Sequence, residues 1–245
     1  KVLQRLYEPF TTKVLQEKDL KSRNEQIKAL TEKHIAEEFP GGEIKHGKNL
    51  LLVNVIEKLL KNHFQSQISY IQNLSRSNKV IRIEGLEERI KCDFGDIIHS
   101  GHQKVYLKGF IDRIDRLGDE VHILDYKTGK VEDKDTKLGS LDELHTKTNT
   151  DKSFQLFFYS WLYSHSGEFK NEKLKAGIIA LRRTGNLKQF LSVSGQYEIY
   201  PEALKQFEAY LKELLDELFN PTLPFRTTED PQSCEYCDFR NICLK

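Results

Sequence analysis

The alternation of apolar and polar residues predicts helices towards both ends of the chain. Apolar residues recur every three or four positions in 24–39 and again in 49–75, as in amphipathic helices. A third apolar face, over 201–219, begins with a proline, which the first turn of a helix tolerates. The predicted inward residues are Ile27, Leu30 and His34 or Ile35 in the first segment, and Leu52, Val55, Ile56, Leu59 and Leu60 in the second.

Between these segments the period changes to the alternation typical of β-strands. Residues 79–92 predict one or two strands, 105–107 predict a short strand leading into the next one, and 176–181 predict a buried strand. Residues 195–200 predict another strand, whereas 131–151 are polar and predict a loop. The pattern therefore indicates a mixed α/β protein with a helical first part.

The stretch 109–130 organises the chain, and it reads GFIDRIDRLGDEVHILDYKTGK. Apolar residues recur on both sides of Gly118-Asp119, a dipeptide that suits a two-residue hairpin turn. In a hairpin symmetric about this turn, Asp112 lies opposite Asp125, and Lys127 shares a face with Asp125. Two adjacent carboxylates repel each other when both are charged. A divalent cation relieves that repulsion, so the pattern favours a Mg²⁺ site.

A surface hairpin with solvated charges is the alternative interpretation. Arg113 and Arg116 then make only incidental pairs with the neighbouring Asp112 and Asp115, and exposed pairs of this kind contribute little stability. The two interpretations differ in whether the charged side chains converge on one patch or point separately into solvent.

The order Asp112, turn, Asp125-X-Lys127 resembles the signature of the PD-(D/E)XK nuclease superfamily. The amino-acid sequence of this stretch resembles that of the RecB-type branch, which includes AddB-like helicase-nuclease subunits and CRISPR-associated exonucleases. This resemblance implies a restriction-endonuclease-like α/β core, with a mixed central β-sheet flanked by helices. It also implies that Asp112, Asp125 and the backbone carbonyl of Tyr126 bind Mg²⁺ or Mn²⁺. Lys127 then orients the attacking water and stabilises charge that develops on the phosphate.

A second motif follows in 153–163, which predicts a helix with an aromatic stripe. Gln155 and Tyr159 are four residues apart beside this stripe. They resemble the last RecB-type motif, whose Gln and Tyr lie beside the active site and contact the DNA backbone, and we assign them to the site on that basis. The alternative is that a helix rich in aromatic residues exposes one Gln and one Tyr by chance.

Two further features depend on the same resemblance. RecB-like sequences often carry a Glu on the strand before the catalytic hairpin, and Glu84 is the corresponding candidate, either structural or near the metal. They also carry a metal-binding His on an earlier helix. We expect this His to lie upstream of the chain, and we interpret His34, His46 and His63 as surface or half-buried residues.

Cys234, Cys237 and Cys243 form a C-x2-C-x5-C pattern near the end of the chain. Three thiolates this close favour a soft metal, and a [4Fe–4S] cluster or a structural zinc needs a fourth ligand. The tail resembles that of AddB-type nucleases, in which a distant upstream cysteine completes an iron–sulfur cluster that staples the domain. We expect this cluster in the intact protein and not in this chain. Zinc on the three cysteines and Cys92 is the alternative.

Composition sets the remaining limits. The chain has 245 residues, of which 38% are hydrophobic and 31% charged, and a net charge of +1. No apolar run approaches the length that spans a bilayer, so we expect no membrane association. With so small a net charge, any contact with DNA must come from a local surface. The cysteine pattern does not suit a secreted disulfide framework, which favours a cytoplasmic protein.

These observations predict one structural domain in three parts. The first, 1–78, is helical, and we expect it to be cut short because the chain begins within a helix and contains no methionine. A nuclease core over 79–200 carries the hairpin 105–130, and 201–245 form a helix and a cysteine-rich tail.

The resemblance, over 79–245, implies a metal-dependent deoxyribonuclease. It would be an exonuclease module in a recombination and repair helicase-nuclease, with DNA and a helicase subunit as partners. One alternative is a catalytically silent nuclease-like domain that binds DNA or a partner. The other is an interaction module that a metal staples through its cysteines.

Overall fold

The computed structural model describes residues 1–41, 46–96, 104–170, 172–183, 188–224, 232–235 and 237–243. Its strands are β1 (Arg82–Asp96), β2 (Lys104–Leu117), β3 (Glu120–Lys127), β4 (Lys137–Leu138), β5 (Lys173–Ala180), β6 (Gln189–Phe190) and β7 (Ser192–Val193). Its helices are α1 (Val2–Tyr7), α2 (Glu17–Glu38), α3 (Gly47–Arg76), α4 (Glu143–Thr146), α5 (Asp151–Ser164), α6 (Pro201–Phe219) and α7 (Gln232–Glu235). Short 3₁₀ turns cover Glu8–Phe10 and Asp133–Thr136.

The central sheet has five strands in the order β1-β2-β3-β5-β6, and β4 pairs with β7 in a separate ladder. Strands β1, β2 and β3 are antiparallel neighbours, whereas β3 and β5 are parallel. A parallel pair needs a crossover connection, and the chain from β3 to β5 supplies one that contains α5. The sheet is therefore mixed, as predicted.

The β2–β3 hairpin has the predicted register. Arg113 pairs with Leu124 and Leu117 pairs with Glu120, so the two strands are symmetric about the Gly118-Asp119 turn. Gly118 has a φ of 65°, a left-handed conformation that glycine adopts without steric cost.

Apolar side chains on the two faces of the sheet belong to two cores. Helices α5 and α6 cover one face, where Phe157, Trp161 and Phe207 pack with Ile114, Val121, Ile123 and Ile178. Helices α1, α2 and α3 cover the other face, where Leu6, Phe64 and Ile68 pack with Ile81, Ile83, Leu124 and Ile179. The helices bury both faces of the sheet, and this arrangement confirms the predicted fold class, a restriction-endonuclease-like α/β core.

The predicted apolar stripe of the second helical segment is wrong in part, because Leu60 is buried and Ile56 packs against the same core, but other members of the stripe are not buried. Leu52 and Val55 are exposed, and the buried residues of α3 that pack over the sheet begin at Leu60 and continue through Phe64 to Ile71. Apolar residues occur on several sides of the first turns of α3, so the spacing alone did not identify the side that meets the sheet.

Three boundaries also differ from prediction. Residues 195–200 form no strand and contribute two isolated bridges, from Ile199 to Leu174 and from Gln196 to Val193. The segment 131–151 is not a plain loop, because it contains a 3₁₀ turn, β4 and α4, with Leu138 and Leu144 buried. Strands β1 and β2 each extend beyond the predicted limits. None of the described helices is long and apolar enough to cross a membrane.

Candidate active site

Asp112 lies where β2 and β3 separate. The last residue pair on the β3 side is Arg113 with Leu124, and beyond it β2 continues beside β1. Across the gap, the backbone N–H of Tyr126 donates a hydrogen bond of 2.7 Å to Oδ2 of Asp112. This bond ties the Asp112 carboxylate to the segment that carries Asp125 and Lys127.

Asp125 is buried, with 3% of its surface exposed. Nζ of Lys127 lies 3.0 Å from its Oδ2 atom, close enough for an ion pair. Within the described part of the chain, this ammonium group is the only donor near the oxygen. A carboxylate oxygen can accept more than one hydrogen bond. Oδ2 of Asp125 therefore has a lone pair available for a ligand.

Lys127 is held from its other side by α5. Its Nζ donates a hydrogen bond of 2.7 Å to Oε1 of Gln155, and Nε2 of Gln155 donates one of 2.8 Å to the hydroxyl of Tyr159. Gln155 and Tyr159 face each other because they are one helical turn apart. All five sequence-predicted side chains thus occupy one region, formed by β2, β3 and α5.

Burial changes the protonation of both aspartates. It raises the pKa of Asp112 to about 6, and the charges of Asp125 and Glu87 act in the same direction. Burial also raises the pKa of Asp125, although the ammonium group of Lys127 opposes the change. A bound cation favours the ionised form of both groups, since an opposite charge lowers a carboxyl pKa.

Glu87 is a third carboxylate that the sequence did not single out. It lies on β1 opposite Asp112, with a φ of 54° that residues other than glycine rarely adopt. Its charge acts on Asp112 and also on the hydroxyl of Tyr159, whose pKa is raised mainly by burial. Glu87 therefore belongs to the site electrostatically.

The sequence pointed to Glu84 instead, and Glu84 accepts a hydrogen bond from Nε of Arg116. The register of β1 against β2 shifts between Ile83 and Gly85, so residues after this bulge pair one position further along. A glycine within a strand is the sequence signal of such a bulge. Gly85 carried that signal, and the one-residue shift brings Glu87, in place of Leu86, level with Asp112.

Arg113 is fully buried, so the interpretation of an incidental surface pair is wrong for this residue. Its Nε atom lies 2.6 Å from Oδ1 of Asp115, and Nη1 donates a hydrogen bond of 3.2 Å to the hydroxyl of Tyr126. Nζ of Lys188 lies 2.8 Å from the other oxygen of Asp115. Arg113 and Lys188 hold the pKa of Asp115 below its usual value in spite of its burial.

This buried network lies behind the candidate site. Tyr126 links the two, because its hydroxyl accepts the hydrogen bond from Arg113 and its backbone N–H donates to Asp112. The guanidinium of Arg113 also lies over the ring of Tyr7, with Cζ 4.5 Å from the ring centroid. Because these charged groups are buried and bonded to one another, the network restrains the strand segment that carries Asp125 and Lys127.

Of the three histidines, His63 packs edge-on against Tyr126, with the ring centroids 5.7 Å apart. His63 is buried rather than half-exposed, and its Nε2 atom is 2.8 Å from the hydroxyl of Tyr7. Burial lowers the pKa of His63 to about 3, so its ring is neutral. His34 is also buried, on α2, and His46 is exposed before α3. The expectation that a metal-binding His lies upstream of the chain stays a prediction.

Cys234 is half-buried in α7, and Cys237 and Cys243 are exposed. Cys92 is buried in the core beside α5, where its Sγ atom is 3.6 Å from the carbonyl of Leu162 and burial raises the thiol pKa. Across the described ranges, no three His, Cys, Asp or Glu side chains are close enough to hold a metal ion by themselves. The iron–sulfur cluster and the zinc alternative both stay predictions.

The oxygen atoms at the separation of β2 and β3 nevertheless suit a hard divalent cation. Mg²⁺ is usually bound by one or two carboxylates together with waters and substrate phosphates, so it does not require three protein carboxylates. Asp125 supplies a buried oxygen whose only nearby donor among the described residues is Lys127, and Asp112 supplies a second carboxylate beside it. The backbone carbonyl of Tyr126 is the third candidate ligand.

A family model of the PD-(D/E)XK nuclease superfamily matches residues 1–244 of the chain. The match begins well before residue 79, so it includes the helical first part that the sequence resemblance did not cover. Among solved structures, the crystal structure of SSO0001 is similar with a TM-score of 0.32 and 16% identity, over 79% of this chain and 74% of that one. A similarity this low carries no argument. No curated protein matches the chain.

Proposed function

Because the chain belongs to the PD-(D/E)XK nuclease superfamily, we propose that it hydrolyses DNA phosphodiester bonds with the help of Mg²⁺ or Mn²⁺. The observation that carries this proposal is the arrangement around Asp125. Among the described residues, the only donor near its buried Oδ2 atom is Lys127, 3.0 Å away, and Asp112 is tied to the same segment.

In the proposed reaction, Asp112, Asp125 and the Tyr126 carbonyl bind the cation. The cation, when bound, polarises the scissile phosphate and lowers the pKa of a water molecule. Lys127 orients the attacking water and places a positive charge where negative charge develops on the phosphate. Gln155 fixes the position of the Lys127 ammonium through its 2.7 Å hydrogen bond, and Tyr159 fixes Gln155 in turn.

The test is single-turnover cleavage of end-labelled linear DNA with Mg²⁺ or Mn²⁺. We expect Asp112→Asn and Asp125→Asn to abolish cleavage, since each loses a charged ligand while keeping its size. Lys127→Ala should slow it by about a hundredfold or more, the usual effect of losing a group that stabilises developing negative charge. Asp119→Asn is the matched control, because Asp119 is an exposed hairpin residue that pairs with Lys173 at 2.8 Å.

Cleavage that survives Asp125→Asn in a preparation of unchanged purity would contradict the assignment of the site. A chain that binds DNA without cutting it, even with both cations supplied, would instead support the silent binding domain. The buried Arg113 network behind the carboxylates restrains the segment that carries Asp125 and Lys127, and a fixed segment supports a preorganised site.

We further propose that the chain is the nuclease module of a helicase-nuclease and that it degrades DNA from an end. The support is the order of three sequence motifs, the D…DXK hairpin, the Gln155/Tyr159 pair and the Cys234–Cys243 cluster, which resembles that of AddB-like subunits. Release of mononucleotides or short fragments from a labelled end, and no cutting of closed circular DNA, would support this finer assignment. Nicking of the circle would contradict it.

A further inference from the structure

The outer parts of β1 and β2 form a two-stranded ribbon next to the candidate site. Beyond Asp112, β2 pairs with β1 through Phe110–Arg89 and on to Tyr106–Asp93. One face of this ribbon packs on α5, because Cys92 contacts Leu162, Phe94 lies 5.4 Å from Trp161, and Gly109 is buried.

The opposite face of the ribbon is exposed, and we call it the ribbon face. Because side chains alternate along a strand, it presents every second residue of each strand. Its members are Arg89, Lys91 and Asp93 on β1, and Lys104, Tyr106, Lys108 and Phe110 on β2, all of them exposed. The distance from Lys104 to Phe110 along the strand is about 20 Å, at 3.4 Å per residue.

Positive charge and flat aromatic surface alternate on the ribbon face. Four of its seven side chains are cations, and Asp93, its one carboxylate, lies 3.9 Å from Nζ of Lys104. Phe110 and Tyr106 remain 49% and 46% exposed. Each ring has a cation against it: Cζ of Arg89 is 5.6 Å from the Phe110 centroid, and Nζ of Lys91 is 3.9 Å from the Tyr106 centroid.

This combination has one good match among the polymers that a nuclease meets. Cations attract the phosphate backbone, and exposed aromatic rings stack on bases that are not paired with another strand. In a duplex the faces of the bases are already stacked on each other, so the rings would have nothing to contact. The net charge of the whole chain is only +1, so the attraction must be local, and the ribbon face is such a local surface.

We propose that the ribbon face binds single-stranded DNA beside the site of Asp112 and Asp125, an inference that rests on the proposed nuclease function. Phe110 is two residues before Asp112, and Arg89 is two residues after Glu87, so one end of the ribbon adjoins the site. The ribbon face lies on the side of the ribbon away from α5, whereas Gln155 and Tyr159 of the site lie on α5.

The test is fluorescence anisotropy with a labelled oligothymidine of about twenty nucleotides, longer than the footprint of a typical single-strand binding fold. A blunt hairpin duplex is the comparison, and divalent cations are left out so that nothing is cut. The variant is Tyr106→Leu with Phe110→Leu, which removes both rings from exposed positions and leaves the core intact. Tyr197→Leu with Tyr200→Leu is the matched control, since these rings are 51% and 45% exposed elsewhere.

We expect the ring variant to bind the single strand at least about tenfold more weakly, because each stacked base contributes substantially to affinity. The affinity of the control variant for the single strand, and the affinity of the ring variant for the duplex, should each change by less than about twofold. Unchanged single-strand affinity in the ring variant would overturn the proposal. Equal losses on single strand and duplex would overturn the assignment to single strands.

A second arm tests the cations through salt dependence. Lys91→Gln and Lys108→Gln should each reduce the slope of log affinity against log salt by about 0.7, the value for one phosphate contact on a single strand. Lys205→Gln and Lys212→Gln, exposed lysines on α6, are the controls and should leave the slope unchanged. If neither lysine substitution on the ribbon face changes the slope of log affinity against log salt, the proposal is contradicted.

Binding is measured without metal, so the result is independent of cleavage. If the chain never cuts DNA but the ring variant binds single strands more weakly, the ribbon proposal is supported and the proposed nuclease function is contradicted. If cleavage depends on Asp125 but the ring variant binds single strands normally, the nuclease function is supported and the ribbon proposal is contradicted.

Discussion

Gln155 sets the position of Lys127, and we expect its replacement to slow the chemical step. In Gln155→Leu, Nζ of Lys127 loses its 2.7 Å hydrogen bond and the hydroxyl of Tyr159 loses its donor. Displacement of a catalytic group by about 1 Å can cost about a hundredfold in rate, so we expect kcat to fall by about tenfold to a hundredfold. Multiple-turnover kinetics at saturating Mg²⁺ measure this, and KM for DNA should change little.

Gln155→Glu is the matched variant, because it keeps an acceptor for Lys127. It should retain more activity than Gln155→Leu. A rise in KM with unchanged kcat would contradict the positioning role and would indicate that Gln155 contacts the DNA backbone instead.

Two buried histidines make the stability of the fold depend on pH. Burial lowers the pKa of His63 to about 3 and that of His122 to about 4, from 6.5. Both are neutral in the folded protein near pH 7, whereas the unfolded chain protonates them below pH 6.5. Their contribution to stability is therefore full above pH 6.5 and is lost as the pH falls towards 3–4, by about 1.4 kcal/mol per pH unit for each histidine.

Urea unfolding at pH 7 and pH 5 measures this effect. His63→Gln and His122→Gln keep a polar group at each position and remove the titration, so each should reduce the difference in unfolding free energy between the two pH values by about 2 kcal/mol. The raised pKa values of the buried Asp112 and Asp125 change stability with pH in the opposite direction. Both aspartates are present in the wild type and in the variants, so their effect cancels in the comparison. Equal pH dependence in wild type and both variants would contradict the prediction.

The site could be anticipated from the sequence only in part. The opposition of Asp112 and Asp125 followed from a turn dipeptide and strand alternation, which are local properties. The burial of Arg113 did not, because a charged residue within a strand is ordinarily solvated. Its burial depends on partners that only the tertiary fold supplies, namely Asp115, Tyr126 and the ring of Tyr7. Glu87 was missed because a bulge shifts its register.

At the scale of elements, the contact between α5 and β2 requires a glycine. A Cβ atom at Gly109 would lie 2.6 Å from Cδ1 of Leu162 and 3.2 Å from Cε1 of Tyr159. Leu162 is fully buried and has little room to move. We expect Gly109→Ala to destabilise the fold by about 1–3 kcal/mol, the usual cost of overpacking. It should also reduce cleavage at temperatures where the variant stays folded, because the added Cβ atom pushes α5 away from β2 and displaces Tyr159.

Gly167→Ala is the control, since a Cβ atom there meets no other atom within 4 Å. Thermal unfolding and single-turnover cleavage of the two variants give the comparison. Activity in Gly109→Ala equal to that of the control, after correction for the folded fraction, would show that α5 does not need this close approach to hold Gln155 and Tyr159.

Elements with strong local signals were predicted well, and those decided by tertiary contacts were not. The 201–219 helix has a proline at its start and a continuous apolar face, and it appears as α6. The sequence 195–200 alternates as a strand would, but only Ile199 finds a partner on the sheet. In α3, the side that meets the sheet depends on where the sheet is, which a helical period does not encode.

At the scale of the whole molecule, one sheet supports two cores. Leu124 and Ile179 pack towards α1, α2 and α3, whereas Ile123 and Ile178, their neighbours on the same strands, pack towards α5 and α6. Loss of either core would expose one face of β3 and β5. The single structural domain stays a prediction, and the sharing of the sheet supports it, because neither set of helices packs on a sheet of its own.

We therefore expect the two cores to unfold in one transition, and the chain offers a separate probe for each. Trp161 is the only tryptophan of the sequence and lies in the α5 core, so its fluorescence reports on that side. Most of the far-ultraviolet signal of helices comes from α2 and α3, with 22 and 30 residues, on the other side. Coincident urea midpoints for the two signals are the mark of a cooperative transition.

A variant in one core makes the comparison sharper. Leu60→Ala removes buried side-chain volume on the α3 side, 3% exposed, and should cost about 2–5 kcal/mol. If the cores are coupled through the sheet, this change lowers the midpoint seen by Trp161 fluorescence as much as the midpoint seen by the helical signal. A shift confined to the helical signal would mean that α2 and α3 unfold alone, and the chain would then be two units rather than one domain.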